Sequence, residues 1–481
     1  MPSRQIYLLS PKDLSPETIA VAFAKTSRSP ESFREIAAQL TEAQSAEFHE
    51  RWVVGYGHAS VAEHAVLHIA VENVSRLAIE CLESNRLASY TEKSTRYQMW
   101  GPDDFYTPRA VAESRHAALY RQTCRRLFEA YARSLEPVRR LMQAEYPRRE
   151  GESPARWDGR LRSKYVDHCR FLLPAAALAN VGVTANARVL EGAIRKLLSH
   201  PLEEARLIGA EIKRVAQAET PTLVKYADAA PYQIETAQAL ARAAQALTDG
   251  RRTTDDRRGP AGAELVDYDP DAEDKFLAAC LYRHGGASLA ECRAAVAALD
   301  ADRKAALAHE ALGRLGKYDV PLRELEHVTY TFDVTMDQGG YFELKRHRLM
   351  TQSPQRLTTG LGYAVPRPLE AAGVGDEYHA ALRAASEAYA ALAADFPEEA
   401  SYVVPNGYNR RALMTLNLRQ AFHLIELRTA ANAHFSVRRT AAQMAEAIQR
   451  VHPRLARYMR LDGRPAAAAV EAEFFAAVAA R

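Results

Sequence analysis

Cysteine is scarce in this chain: 481 residues contain only Cys81, Cys124, Cys169, Cys280 and Cys292, with no CxxC spacing. A scattered, odd-numbered set excludes a disulfide framework and a structural zinc site. No metal is therefore expected, and a reducing cytoplasmic setting fits. Charge of one sign is lacking too. The 63 basic and 60 acidic residues leave a net +3, which removes the case for a general nucleic-acid surface but leaves room for a local basic pocket. No run approaches the roughly 18 apolar residues that span a bilayer, and Met1 to Leu9 is too poor in apolar residues for a secretory leader. The expectation is a soluble protein that binds neither nucleic acid nor membrane. Hydrophobic content of 47% and charged content of 26% suit a globular fold. The length suits two domains of about 200 residues each.

What is present is repetition. Residues 17–47 are apolar at helical spacing, and Pro30 is expected to open a second helix after Ser27-Arg28-Ser29. Residues 274–311 follow the same plan: an apolar helix through Phe276, Leu277, Cys280 and Leu281, a Gly285-Gly286-Ala287-Ser288 turn, then an Ala/Leu-rich helix. Each half next has a Glu-His pair before an alternating segment that predicts a half-buried strand. These are Glu63-His64 with Val66, His68 and Ala70, and Glu326-His327 with Val328, Tyr330, Phe332 and Val334. From the pair's histidine to a later arginine is 22 positions in one half (His64 to Arg86) and 21 in the other (His327 to Arg348).

Further on, Leu172-Leu173-Pro174 and Asn186-x-Arg188 correspond to Val403-Val404-Pro405 and Asn417-x-Arg419. Each Asn-x-Arg is expected to open a long amphipathic helix, over 186–217 and 417–449. The polar, breaker-rich Asp249 to Gly262 stretch separates the halves. This gives domains at 1–235 and 270–481 with a linker over 236–269, and Pro147 to Asp158 as a surface insertion. Helix dominates, with a short antiparallel sheet in each half, so the class is α+β.

Two fragments carry the chemistry. Residues 86–97 read Arg-Leu-Ala-Ser-Tyr-Thr-Glu-Lys-Ser-Thr-Arg-Tyr, and residues 346–352 read Arg-His-Arg-Leu-Met-Thr-Gln. The first keeps Glu92, Ser94 and Arg96 on alternate positions; the second keeps a basic cluster. Joined, they resemble the R-H-R-x-x-S-x-N-E-x-S-x-R-Y signature of the flavin-dependent thymidylate synthases. The resemblance implies two tandem thymidylate-synthase-complementing-type domains. In the N-terminal half, His58, Ser60 and Glu63 match a segment that helps to hold flavin. Glu92, Ser94, Thr95 and Arg96 match the nucleotide-binding end of the signature, and Arg170 another arginine that grips the nucleotide. In the C-terminal half, Arg346, His347 and Arg348 match the basic cluster, which contacts flavin and, through Arg346, the nucleotide. Asn417, Arg419 and Leu427 match flavin-side positions, and Arg428 a late nucleotide-binding arginine.

At most of the motif positions, each half departs where the other conforms. Ser84-Asn85-Arg86 replaces the basic cluster in the first half, and Leu197 stands where Arg428 stands in the second. In the second half Pro354, Arg356 and Thr358 replace the Glu, Ser and Arg, and Ser401 replaces the arginine before the Pro step. His423 and Asn432 stand where the family usually has Asn and His, and Glu343 and Cys81 where it has Gln. Complementary losses imply composite sites made from both halves, within one chain or between partners. In the family the site lies between subunits of a homotetramer, so a homodimer of this chain would form a pseudo-tetramer.

The resemblance implies reductive methylation of dUMP to dTMP, with FAD as cofactor and NADPH and methylenetetrahydrofolate as co-substrates. Catalytic roles fall to Ser94, Arg96 and Arg428. Four arginines (Arg96, Arg170, Arg346, Arg428) suit a nucleotide's phosphate and carbonyl oxygens, and Ser94 positions rather than attacks, since no base is adjacent. Two alternatives stay open: a flavin-dependent methylase of another pyrimidine nucleotide, or a non-catalytic FAD- or nucleotide-binding scaffold. Taken singly, each motif also has a plain reading. Glu92-x-Ser94-x-Arg96 and Arg346-His347-Arg348 read as solvated charged faces, the Asn-x-Arg triplets as helix caps and braces. His116, His168, His200 and His309 read as surface or capping residues, and the Ala467-rich terminal helix as packing.

Overall fold

The computed structural model describes residues 5, 7–26, 29–55, 59–96, 99–248 and 261–476. They fall into two compact units. The first comprises residues 1–94, 104–114 and 176–252; the second comprises 95–103, 115–175 and 253–481. Each is built on one small antiparallel sheet with helices around it, the α+β class expected.

In the first unit β1 (Val66–Ser75), β2 (Ser89–Glu92) and β3 (Leu178–Asn186) are ordered β1-β3-β2. In the second, β4 (Gly262–Tyr268), β5 (Thr329–Asp337), β6 (Met350–Pro354) and β7 (Asn409–Asn417) are ordered β4-β5-β7-β6. Without β4 the two orders coincide, and the registers do too. Val66 pairs with Asn186, and Thr329 with Asn417. Glu92 lies opposite Val181, five residues before Asn186, while Pro354 lies opposite Ala412, five before Asn417. Backbone pairing alone thus equates Glu92 with Pro354, as the motif did.

Tyr330, Phe332, Val334 and Met336 fill one face of β5 and are buried, as alternation predicts. In β1 the expectation picked the wrong face: Leu67 and Val71 are buried, while Val66, His68 and Ala70 point outward. The apolar set on that strand is shared between both faces, so alternation could not choose between them.

Four helix boundaries differ from expectation. The second N-terminal helix opens at Phe33 behind the Ser32 capping box, not at Pro30. The Ala/Leu-rich stretch after Ser288 divides into Leu289–Ala297 and Ala301–Leu312, where Asp300 caps a new start. The two long amphipathic stretches also break. They become Ala187–Leu198 then Glu203–Glu219, around Pro201, and Leu418–Arg428 then Phe435–Val451, around a 429–434 turn. A helix, Pro231–Thr248, and β4 occupy the ends of the span read as linker, while 249–260 lie outside the described residues.

The helices Ala117–Glu145 and Pro154–Cys169 come from the N-terminal half of the sequence yet belong to the second unit. The first is long and amphipathic and buries Tyr120, Leu127, Phe128 and Tyr131. The stretch 147–153 connects the two helices. After Cys169 the chain makes the contact that positions the site: the two matching Pro steps pair with each other, Pro174 against Pro405. Ala175 N donates to Val404 O at 3.0 Å, Asn406 N to Leu173 O at 3.0 Å, and Gly407 N to Phe171 O at 2.8 Å. A Cβ on Gly407 would fall 2.4 Å from the Tyr378 hydroxyl, so only glycine allows this approach.

Candidate active site

The Pro-step pairing sets Arg170, at the end of the helix Pro154–Cys169, against the C-terminal half of the sequence. The Asn406 amide donates to the Arg170 carbonyl at 3.0 Å. Arg170 Nη1 donates to Thr95 Oγ1 at 2.8 Å, and its Nη2 lies 3.2 Å from Asp167 Oδ1, one helical turn back. Arg96 grips the same Asp167 with two parallel bonds, Nε to Oδ1 at 2.9 Å and Nη2 to Oδ2 at 2.7 Å. This is the fork geometry that favours arginine over lysine. Its Nη1 donates to the Asn432 carbonyl at 3.1 Å.

Glu343 closes the cluster from the other half of the sequence. It sits on the short helix Gln338–Leu344, capped by Asp337. Its carboxylate lies 3.4 Å from Arg96, 3.6 Å from Arg170 and 3.2 Å from Arg428. The His434 backbone N–H approaches it at 3.4 Å. Burial by itself raises the Glu343 carboxyl, but Arg170, Arg96 and Arg428 together outweigh that and hold it below the usual carboxylate range.

Arg428, the last residue of the helix Leu418–Arg428, donates through Nε to His347 Nε2 at 2.8 Å. Burial first, then Arg428 and His423, push His347 down to about 3. The ring is therefore neutral at physiological pH. Nε2 accepts from Arg428, and Nδ1 lies 3.2 Å from the Gln420 side-chain amide nitrogen. Burial, then Arg170 and Arg96, likewise depress His434 well below its ordinary value.

The cluster thus joins Thr95, Arg96 and Arg170 of the first half to His347 and Arg428 of the second, in one chain. Arg346 is exposed beside it, near enough to depress Arg428 electrostatically; Arg348 is half-buried and Leu427 is 45% exposed. Of the other expected residues, Glu92, Ser94 and Ser60 belong to the first unit. Glu92 and Ser94 end the first unit's opening segment, and the Glu92 side chain is buried in an ion pair with Arg76 at 3.0 Å. Ser60 is exposed in the first unit, and His58 and Tyr97 lie outside the described residues.

The Asn-x-Arg triplets make the same contacts in both halves. Asn186 and Asn417 cap helices by accepting from Val189 N and Gln420 N, while Arg188 pairs with Glu63 and Arg419 with Glu326. Cys81, the counterpart of Glu343, lies 3.3 Å from His200 Nε2.

Sequence reasoning missed Asp167 and His434. The i, i+3 spacing of Asp167 and Arg170 was a readable signal for the first; nothing local marks the second. His168 also corrects its expectation. It is 3% exposed, stacked on Phe435 at 4.7 Å, and burial pushes it down to about 3. A cavity of about 290 Å³ begins at the Arg96–Asp167 pair and continues past Lys164, His168, Phe435 and Arg438.

A family model described as thymidylate synthase complementing protein matches residues 9–222 and 264–454. A UPF0159 protein of Chlamydia muridarum is 32% identical over 433 residues, covering 86% of this chain and 80% of its own. A UPF0159 protein of Thermoplasma acidophilum is 28% identical over 451 residues, 86% of this chain and 88% of its own. A flavin-dependent thymidylate synthase of Geobacter sulfurreducens is 26% identical over 207 residues, 40% of this chain and 84% of its own. With the model matched in both halves, the chain belongs to the thymidylate synthase complementing protein family.

Proposed function

We propose that this chain is a flavin-dependent enzyme that reductively methylates dUMP to dTMP, using methylenetetrahydrofolate and NADPH, at a substrate site made from both halves of one chain. The observation that carries the reading is the convergence of Arg96 and Arg170 with Arg428 around one anion-sized point. Three guanidiniums facing one point suit the phosphate of a mononucleotide. The cavity that begins at Arg96 offers room for a ligand beside them.

For FAD, the donor set fits in part. Arg346 and Arg348 suit an anionic pyrophosphate and the exposed Leu427 a flat apolar ring, whereas Asn417 and Arg419 are engaged in a cap and an ion pair. When bound, the flavin supplies the hydride. The chain's own part is to orient the nucleotide through Arg96 and Arg170, with Ser94 next to Thr95 in the chain. Arg428 completes the cradle with Arg96 and Arg170, adding a third guanidinium to neutralise the phosphate charge. His347, neutral and locked by Arg428 and Gln420, positions that guanidinium. A homodimer, giving a pseudo-tetramer of four sheets, is the assembly we expect.

Tritium release from [5-³H]dUMP, with methylenetetrahydrofolate and NADPH, tests the reading. The wild-type protein is expected to release tritium, and Arg96→Ala to lose both dUMP binding and release. The purified protein is expected to be yellow. A yellow protein that binds dUMP without tritium release overturns this chemistry. Glu343, an acid within the arginines, favours as second reading a methylase of another pyrimidine nucleotide, for which release would follow only the other substrate.

A further inference from the structure

The arginine cradle already contains an anion. Glu343 meets Arg428, Arg96 and Arg170 at 3.2, 3.4 and 3.6 Å and the His434 N–H at 3.4 Å. Charge-assisted N–H···O bonds close to about 2.7–2.9 Å, a distance that Arg96 reaches on Asp167 but that none of these four donors reaches on Glu343. Arg170 is 7% exposed, yet its Nε makes no hydrogen bond and its Nη2 is held only by the longer ion pairs to Asp167 and Glu343. Among the described residues, three guanidiniums also face two carboxylates, Asp167 and Glu343. The cradle is therefore wider, richer in donors and more cationic than a two-oxygen monoanion requires.

We propose that Glu343 is a displaceable internal competitor, an anion that fills the cradle until a phosphomonoester dianion replaces it. The inference rests on the reading of the cluster as a nucleotide phosphate site and adds how that site selects its ligand. A carboxylate ligand gains little by replacing another carboxylate. A phosphomonoester brings three terminal oxygens and a second charge, which can engage Arg170 Nε and draw closer to its Nη2 than Glu343 does. Displacement moves the side chain and not the helix that carries it. Asp337 Oδ1 caps that helix at Gly340 N at 2.7 Å. A Cβ on Gly340 would stand 2.8 Å from Ser436 Cβ, so the helix is packed tightly against its neighbour. The Glu343 side chain, with its freely rotating bonds, is left as the moving part.

Calorimetric titration of the full chain with inorganic phosphate, and separately with dUMP, tests this. Glu343→Gln keeps the shape and removes the competing charge, so it is expected to bind phosphate at least tenfold tighter than wild type. Glu343→Ala serves if the Gln variant does not fold, with the same direction expected. Unchanged or weaker phosphate affinity in a folded variant overturns the proposal. Phosphate tightening without dUMP methylation in any variant sinks the thymidylate chemistry and leaves this inference standing. Methylation without tightening does the reverse.

Discussion

Replacing Arg428 with methionine keeps most of the side-chain stem and deletes the guanidinium. His347 Nε2, in a residue only 4% exposed, loses the donor 2.8 Å away. An orphaned buried acceptor costs about 1–3 kcal/mol. Glu343 loses a partner at 3.2 Å. Stripping a buried ion of its partner costs about 3–5 kcal/mol, but Arg96 and Arg170 stay beside Glu343, and the desolvation of Arg428 itself is relieved. The two contributions leave an expected loss of about 3 kcal/mol. Amide exchange in the helix Leu418–Arg428 and at His434 then speeds up roughly a hundredfold, each 1.4 kcal/mol being about tenfold.

His347 gives an independent readout of the same perturbation. Burial is the main cause of its depression and Arg428 the second. In Arg428→Met the ring should remain depressed yet begin to protonate at a higher pH than in the wild type, seen in a ¹³C-histidine NMR titration. Exchange slowed or unchanged, together with an unmoved His347 titration, would refute the pairing of Arg428 with His347 and Glu343.

Two further outcomes follow from the same contacts. Asn186→Ala and Asn417→Ala should each lower stability by about 1 kcal/mol in urea unfolding, whereas Asp at either position, an equally good cap, should not; equal losses with Asp would deny the capping role. The Glu343 carboxyl is held below its ordinary range, so its ionisation adds stability above roughly pH 4.3 and that addition fades as pH falls through the depressed value. Glu343→Gln is therefore expected to flatten the acid limb of the stability curve, and parallel limbs for the two proteins would contradict this.

Much of the fold was legible because its signals are local. Alternation in 328–336 marked β5, and the Asn before each late helix marked a cap, since both depend on neighbouring residues only. Where one local signal served two outcomes, the reading failed. In β1 apolar residues lie on both faces, so the buried one went unrecognised. In 417–449 the amphipathic period runs across the turn at 429–434, and the break left no mark in the spacing. Arg96, Arg170 and Arg428 were readable as candidates from motif position, and the i, i+3 spacing offered Asp167 as a partner of Arg170; Glu343 was not readable as their counter-ion.

The sequence by itself determined the strands and most of the helices, the matching plan of the halves, and which basic residues each half kept. Each of these is written in spacings of a few residues, or in motifs that survive as strings. Only the tertiary structure decided which of those residues meet. Arg96 bonds to the carbonyl of Asn432, 336 positions away, because Pro174 pairs with Pro405 and draws one half's arginines onto the other half's helix ends. No short-range pattern encodes such a distance. It follows from backbone pairing and the burial of whole helices, and so the anion among the arginines, Glu343, became visible only in the folded chain.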